Sequence, residues 1–185
     1  ACDIGAFEWD SAEPTVTTTN TPTITKTPTI TNTPTVTNTP SPTNTPTVSI
    51  TVNTIADELN SDGDCSLREA IRAANTNLAV DGCPPGYSSD TIILPAGIYT
   101  LSLPGANEDA GLTGDLDITS SLTLNGASPG STIVDGGGLD RVFHILSNYT
   151  VTIVGLTIRN GSIDVNSLGG GIFSNFGFLT ITNSA

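Results

Sequence analysis

The sequence predicts an all-β fold: a parallel β-helix, a solenoid of short coils, with a short N-terminal capping α-helix, preceded by an extended Thr/Pro-rich stalk. Three observations predict it. Short β-rich runs recur about every 28 to 30 residues beyond residue 90, Gly and Asn clusters punctuate them, and a Pro-marked repeat fills the chain before residue 51. Four segments follow: 1–13, a stalk over 14–50, a capping segment over 51–90 with a short helix and a cysteine loop, and coils over 91–185.

Composition sets the frame. The chain carries 18 acidic and 5 basic side chains, a formal net charge of −13. Such a field repels nucleic acid and anionic membranes and attracts cations. Only 12% of residues are charged, so polarity comes mainly from Thr, Ser, Asn and Gly. That mix suits β-structure with many turns and argues against a helical bundle. No run of about 18 apolar residues is present to span a membrane. Neither a basic start nor an apolar leader follows Ala1, so a secreted chain of this kind is mature or a window from a longer one.

The stalk is defined by its repeat. From Thr15 to Thr51 every odd position is Thr except Ser41 and Ser49, and the even positions cycle through Pro, Ile or Val, and Asn or Lys. A Pro every six residues forbids helix and central strand and favours an extended or polyproline chain. At 3.1 Å per residue such a stalk reaches about 110 Å. Thr-rich segments with Pro read as O-glycosylated stalks. The candidate acceptors are Thr21, Thr23, Thr25, Thr27, Thr29, Thr31, Thr33, Thr35, Thr37, Thr39, Thr43, Thr45 and Thr47. A bare flexible linker is the plainer reading.

In the capping segment, Leu67, Ala70, Ile71 and Ala74 fall on one face of a helix over 66–75. Ser66 is the natural N-cap, and Glu69 three residues later completes a capping box worth about 1 kcal/mol. Gly82, Pro84, Pro85 and Gly86 make a turn around Cys83. The three cysteines, Cys2, Cys65 and Cys83, include no Cys-x-x-Cys pair and no Cys/His cluster, which argues against zinc. Cys65 and Cys83 are near enough in sequence to close a small loop. A disulfide there contributes about 3 kcal/mol and implies an oxidising compartment, with Cys2 left over.

The lead-in to the helix carries a second pattern. Glu58, Asn60, Asp62, Asp64 and Glu69, with Gly63 between, follow the spacing of an EF-hand calcium loop. Glu at the first position and Cys65 in place of an aliphatic residue depart from it. A polar turn with a capping box explains Glu69 equally well. Calcium is the one cofactor this pattern implies.

The run Cys65-Ser-Leu-Arg-Glu-Ala70, with its acidic Asp-Gly lead-in and Asn75 beyond, resembles the CSLREA domain, which opens bacterial surface proteins with parallel β-helix repeats. The resemblance implies a right-handed parallel β-helix downstream and a secreted, cell-surface context. It brings no catalytic residues. Cys2-Asp-Ile-Gly-Ala-Phe-Glu8 resembles the closing segment of the same kind of β-helix.

Runs at Thr91–Leu94, Ser121–Leu124, Val151–Val154 and Leu179–Thr182 form the main repeat, with Thr132–Val134, Val142–Ile145 and Leu156–Ile158 between them. Alternate Ile, Leu and Val should stack inward while Thr and Asn face out. Asn125 and Asn160 are expected at turns with left-handed backbone. Asp135, Asp140, Arg141 and His144 cluster in sequence and raise the question of carbohydrate cleavage, which needs paired carboxylates on one face. The plainer reading ends a strand at Asp135, pairs Arg141 with Asp140 and leaves His144 on a coil surface. Trp9 is the single Trp, too few aromatics for a sugar-stacking groove.

These features together predict a secreted structural or adhesive surface protein without enzymatic activity. The repeats stop at Ala185 without a second capping pattern. Two readings of that end stand: a window from a longer chain, or an extracellular fibre in which copies, or neighbouring β-helix domains, complete one another head to tail. A carbohydrate-binding or carbohydrate-cleaving β-helix is the alternative.

Overall fold

The computed structural model describes residues 48–106, 108–163 and 168–185. The segment 1–13 with Cys2 and Trp9, and the Thr/Pro repeat with its acceptors Thr21 to Thr47, lie outside the described residues.

The described chain is mostly β, with parallel sheets and one helix. The strands are β1 (Val48–Thr51), β2 (Asp90–Leu94), β3 (Gly97–Thr100), β4 (Leu116–Ile118), β5 (Leu122–Gly126), β6 (Thr132–Asp135), β7 (Phe143–Leu146), β8 (Thr150–Val154), β9 (Thr157–Arg159), β10 (Ile172–Asn175) and β11 (Phe178–Thr182). The helix α1 spans Leu67–Thr76. Three sheets result, ordered β1-β2-β5-β8-β11, β3-β6-β9 and β4-β7-β10. Every pairing within them is parallel. From β2 onward the chain visits the three sheets in the same cyclic order. The runs matched by sequence period lie side by side: Leu122 pairs with Val151, and Ile153 with Ile181.

Register turns the period-two pattern into ladders. Ile50, Ile92, Leu124 and Ile153 stack in one inward column and are fully buried, and Ile181 ends it half exposed. Each buried rung is worth about 1.5–3 kcal/mol. Ser49, Thr91, Thr123, Thr152 and Thr180 form the neighbouring outward column of hydroxyls. The Thr alternation of the stalk runs on into β1. There the even positions are Val48 and Ile50 rather than Pro, so the stalk boundary expected at residue 50 falls inside a strand paired with β2.

The helix starts as its capping signals require. Ser66 sits in extended backbone, its hydroxyl accepts from Glu69 N, and Glu69 Oε2 accepts from Ser66 N at 3.0 Å. The apolar face packs against β2 and β4. Cys65 and Cys83 are disulfide-bonded, with Cα atoms 4.8 Å apart. Asn160 has the expected left-handed backbone, φ 53°. Asn125 does not: it is paired within β5, where Ile93 and Val154 are its register partners. No helix among the described residues is long and apolar enough to cross a membrane.

Candidate functional site

Two groups of carboxylates stand out. The first is the loop leading into α1. Asn60 Nδ2 donates to Glu58 Oε2 (2.7 Å) and Asp62 Oδ2 (2.9 Å), and Asp62 Oδ1 accepts from Asp64 N. Carboxylate oxygens of Glu58, Asp62 and Asp64 converge, as do those of Asp64, Glu69 and Asp81. Partial desolvation, with neighbouring Asp62, raises the carboxyls of Glu58 and Asp64 above their ordinary range. Hydrogen bonds from Asn60 and Asp64 N lower that of Asp62.

The EF-hand spacing foresaw four of these carboxylates but not Asp81. Asp81 arrives through the disulfide loop and accepts from Gly63 N at 2.8 Å and Asp62 N at 3.2 Å. No helix precedes the loop over 52–59, so the two-helix frame of an EF-hand is absent here. Glu69 takes Ser66 N on one oxygen and Asn60 N on the other, so it closes the capping box as well as facing the cluster.

The second group lies on the outward face of β4 and β7. Asp117 and His144 are register partners there, and His144 pairs in turn with Phe173 of β10. A loop over 108–114 folds across them. Glu108 organises that loop by accepting from Ala110 N, Leu112 N and Thr113 N. Gly111 N donates to Asp117 Oδ2 at 2.8 Å. Gly114 holds a left-handed turn (φ 61°), where an added Cβ would run into the Gly105 carbonyl. Asp117 is left with no exposed surface and His144 with 7%. The His144 ring stacks on Phe173, centroids 5.1 Å apart.

Electrostatics there follow from burial. Asp117 is pushed up to about 7 by desolvation and by Asp115, against the stabilising Gly111 N–H. Asp115 is raised by burial despite its ion pair with Arg141 at 2.7 Å. His144 is lowered by burial and then by Arg141.

Two expectations need correction. Arg141 does not pair with Asp140. Its guanidinium crosses to Asp115, while only its backbone N–H reaches Asp140 Oδ1 (2.8 Å). His144 is not on the surface, because the 108–114 loop covers it. Asp135 does end β6, but it is engaged elsewhere: Arg159 Nε donates to it at 2.8 Å and Asn160 Nδ2 at 3.0 Å. Burial alone would raise its carboxyl. Bonds from Gly137 N, Arg159 and Asn160 outweigh that and hold it low.

Between the two groups lies Arg68, 1% exposed. Its Nε meets Asp57 Oδ1 at 2.6 Å, and its other nitrogens donate to the carbonyls of Gly111, Gly114 and Asp115. It ties α1 to the loop that covers Asp117. Sequence reasoning placed Arg68 within a helix motif but had no signal for a partner more than forty residues away. Asp115 and Asp117 were missed likewise. Their alternation with Leu116 and Ile118 was the available clue.

No family model, no curated protein and no solved structure matches the chain.

Proposed function

We propose that the three parallel sheets are faces of a right-handed parallel β-helix and that the chain is a secreted structural or adhesive module of a bacterial surface protein. The observation that carries this reading is the cyclic return to three sheets with in-register aliphatic columns, the pattern a coil repeat produces. Parallel crossovers are right-handed in about 98% of cases, which supports the hand.

The cap is of the CSLREA type on this reading. All six residues from Cys65 to Ala70 are buried, each for its own reason. Cys65 forms the disulfide, Ser66 and Glu69 close the capping box, Leu67 and Ala70 pack inward, and Arg68 bonds the covering loop. On this reading the acidic loop ahead of it takes calcium at one of two carboxylate triads that share Asp64: Glu58, Asp62 and Asp64, or Asp64, Glu69 and Asp81. The Thr/Pro stalk carries O-glycans. β11 is an edge strand among the described residues, with exposed Phe178 and half-exposed Ile181, a face suited to another copy or to a neighbouring domain stacked head to tail.

The carbohydrate-cleaving alternative is disfavoured by burial. Of the carboxylates that raised it, Asp135 is 7% exposed and held by Arg159 and Asn160, and the neighbouring Asp115 and Asp117 are 2% and 0% exposed, out of reach of a polymer. Three experiments test the function together. Native material should be recovered from the cell surface or medium with Cys65 and Cys83 refractory to alkylation until reduced, and it should release sugar on chemical deglycosylation. It should turn over no acidic polysaccharide. Turnover abolished by Asp115→Asn or Asp117→Asn, or a reduced thiol pair in an intracellular pool, would overturn the reading.

A further inference from the structure

The Asp117–His144 pair has a geometry that a hydrogen bond does not explain. Asp117 Oδ1 lies 3.2 Å from His144 Nδ1, yet neither atom is aligned for a hydrogen bond, and neither finds a partner among the described residues. Asp109 Oδ1 approaches the same nitrogen at 3.5 Å. All three ligand-type atoms lie within 4.8 Å of one another. Three lone-pair-bearing atoms thus face a common point, two of them on side chains withdrawn from water. Something positive belongs between them. A shared proton needs a nearly straight N–H···O contact, and it is the alignment, not the 3.2 Å distance, that fails here. Two ligands bound at about 2.0–2.1 Å to a tetrahedral ion lie about 3.3 Å apart, which the two measured separations bracket.

We propose that Asp109, Asp117 and His144 bind one divalent transition-metal ion of the zinc class through Asp109 Oδ1, Asp117 Oδ1 and His144 Nδ1. The donor set selects the metal. Imidazole with carboxylates suits zinc and its first-row neighbours, whereas calcium takes oxygen alone. Part of the support a bound ion needs is in place: Gly111 N holds the far oxygen of Asp117 and Phe173 stacks on the imidazole, while His144 Nε2 has no partner among the described residues. Local charge agrees. Glu108, Asp109, Asp115, Asp117 and Asp140 surround the point; of the cations near it, Arg141 is already paired with Asp115 and Arg72 lines the groove beside Asp109. Asp109 is exposed and lines a groove of about 350 Å³ with Arg72, Asn75 and Thr119, so the Asp109 side of the site reaches solvent, and water would take the fourth position. The proposal departs from the sequence expectation against zinc, because these three ligands meet only through parallel register and a covering loop, not through spacing along the chain.

The test uses the 185-residue chain with its disulfide intact, stripped with chelator and held in excess calcium so that the acidic loop is occupied. Zinc is added by calorimetric titration, and cobalt(II) serves as the spectroscopic probe. One equivalent of zinc should bind, and cobalt should give the intense visible absorption of a four-coordinate ion. His144→Gln should abolish that band and weaken zinc by about 100-fold. Asp109→Asn alters an exposed side chain, leaves the fold unchanged by circular dichroism, and should weaken zinc by at least about tenfold. Asp62→Asn should leave zinc binding unaltered. Absence of saturable uptake, uptake equal in wild type and both ligand variants, or a pale six-coordinate cobalt spectrum would each overturn the site.

Discussion

The acidic loop around Asp62 and the covered pocket around Asp117 both gather carboxylates, but they satisfy them by different means. In the loop, Asn60 and backbone N–H groups share the charge; Asp62 and Asp81 are exposed, Glu58 and Asp64 half-buried, and a single oxygen, Asp64 Oδ1, is left buried without a partner among the described residues. In the pocket, a loop closes over the carboxylate, one oxygen takes a backbone N–H, and the other faces an imidazole without bonding to it. Like charges at an exposed site are cheap to hold because water screens them. At a buried site the same repulsion must be relieved by a proton or a cation. The loop therefore tunes stability weakly, and the pocket governs how the molecule responds to pH and to metal.

The largest expected effect breaks the link between the regions. Arg68→Ala leaves Asp57 buried without its partner and three carbonyls short of a donor, so urea unfolding should show a loss of about 3–5 kcal/mol. Asp57 Oδ2 also accepts from Ser102 N and Leu103 N, so the damage should spread into the segment after β3. Next is the disulfide. Cys65→Ser with Cys83→Ser should lose about 2–4 kcal/mol by the same measurement. It should also release Asp81 from the acidic loop, so any calcium-induced rise in melting temperature should shrink with it.

The pocket predicts a pH signature of defined sign. The Asp117 carboxyl is pushed up to about 7 in the folded state, above its ordinary value of 3.8, so the folded state holds the extra proton between those limits. Stability from this group is present below about pH 4 and is lost as pH rises towards 7. His144, lowered from 6.5, works the opposite way: its contribution is lost as pH falls below that value. Metal-free Asp117→Asn should remove the alkaline decline and uncover the histidine limb, and His144→Gln should do the reverse. Chemical denaturation from pH 4 to 8 distinguishes them. The smallest effect belongs to the loop. Calcium should raise the melting temperature of the wild type by about 3 °C and leave Asp62→Asn with Asp64→Asn unmoved.

The local features were legible because their causes are local. The capping box needs Ser66 and Glu69 three residues apart, and the turn before β2 needs Gly and Pro. The period of the Ile, Leu and Val runs showed which strands lie side by side. Strands β3, β4 and β10 escaped because they are short and carry Gly, Asp or Ser inside them. The pocket escaped for a different reason. Asp117 meets His144 only through parallel register, and Gly111 and Arg68 reach it from distant segments. No spacing along the chain encodes such a meeting.

The in-register parallel stack underlies every one of these arguments, and one distance tests it most directly. Ser49→Cys and Thr180→Cys, in a chain with Cys2→Ser and the native disulfide intact, place spin labels at the two ends of the hydroxyl column. Neighbouring strands lie about 4.8 Å apart, so four steps give a single narrow distance distribution near 20 Å, widened by the label arms. A broad distribution, or one centred well beyond 35 Å, would contradict the stack and the account built on it.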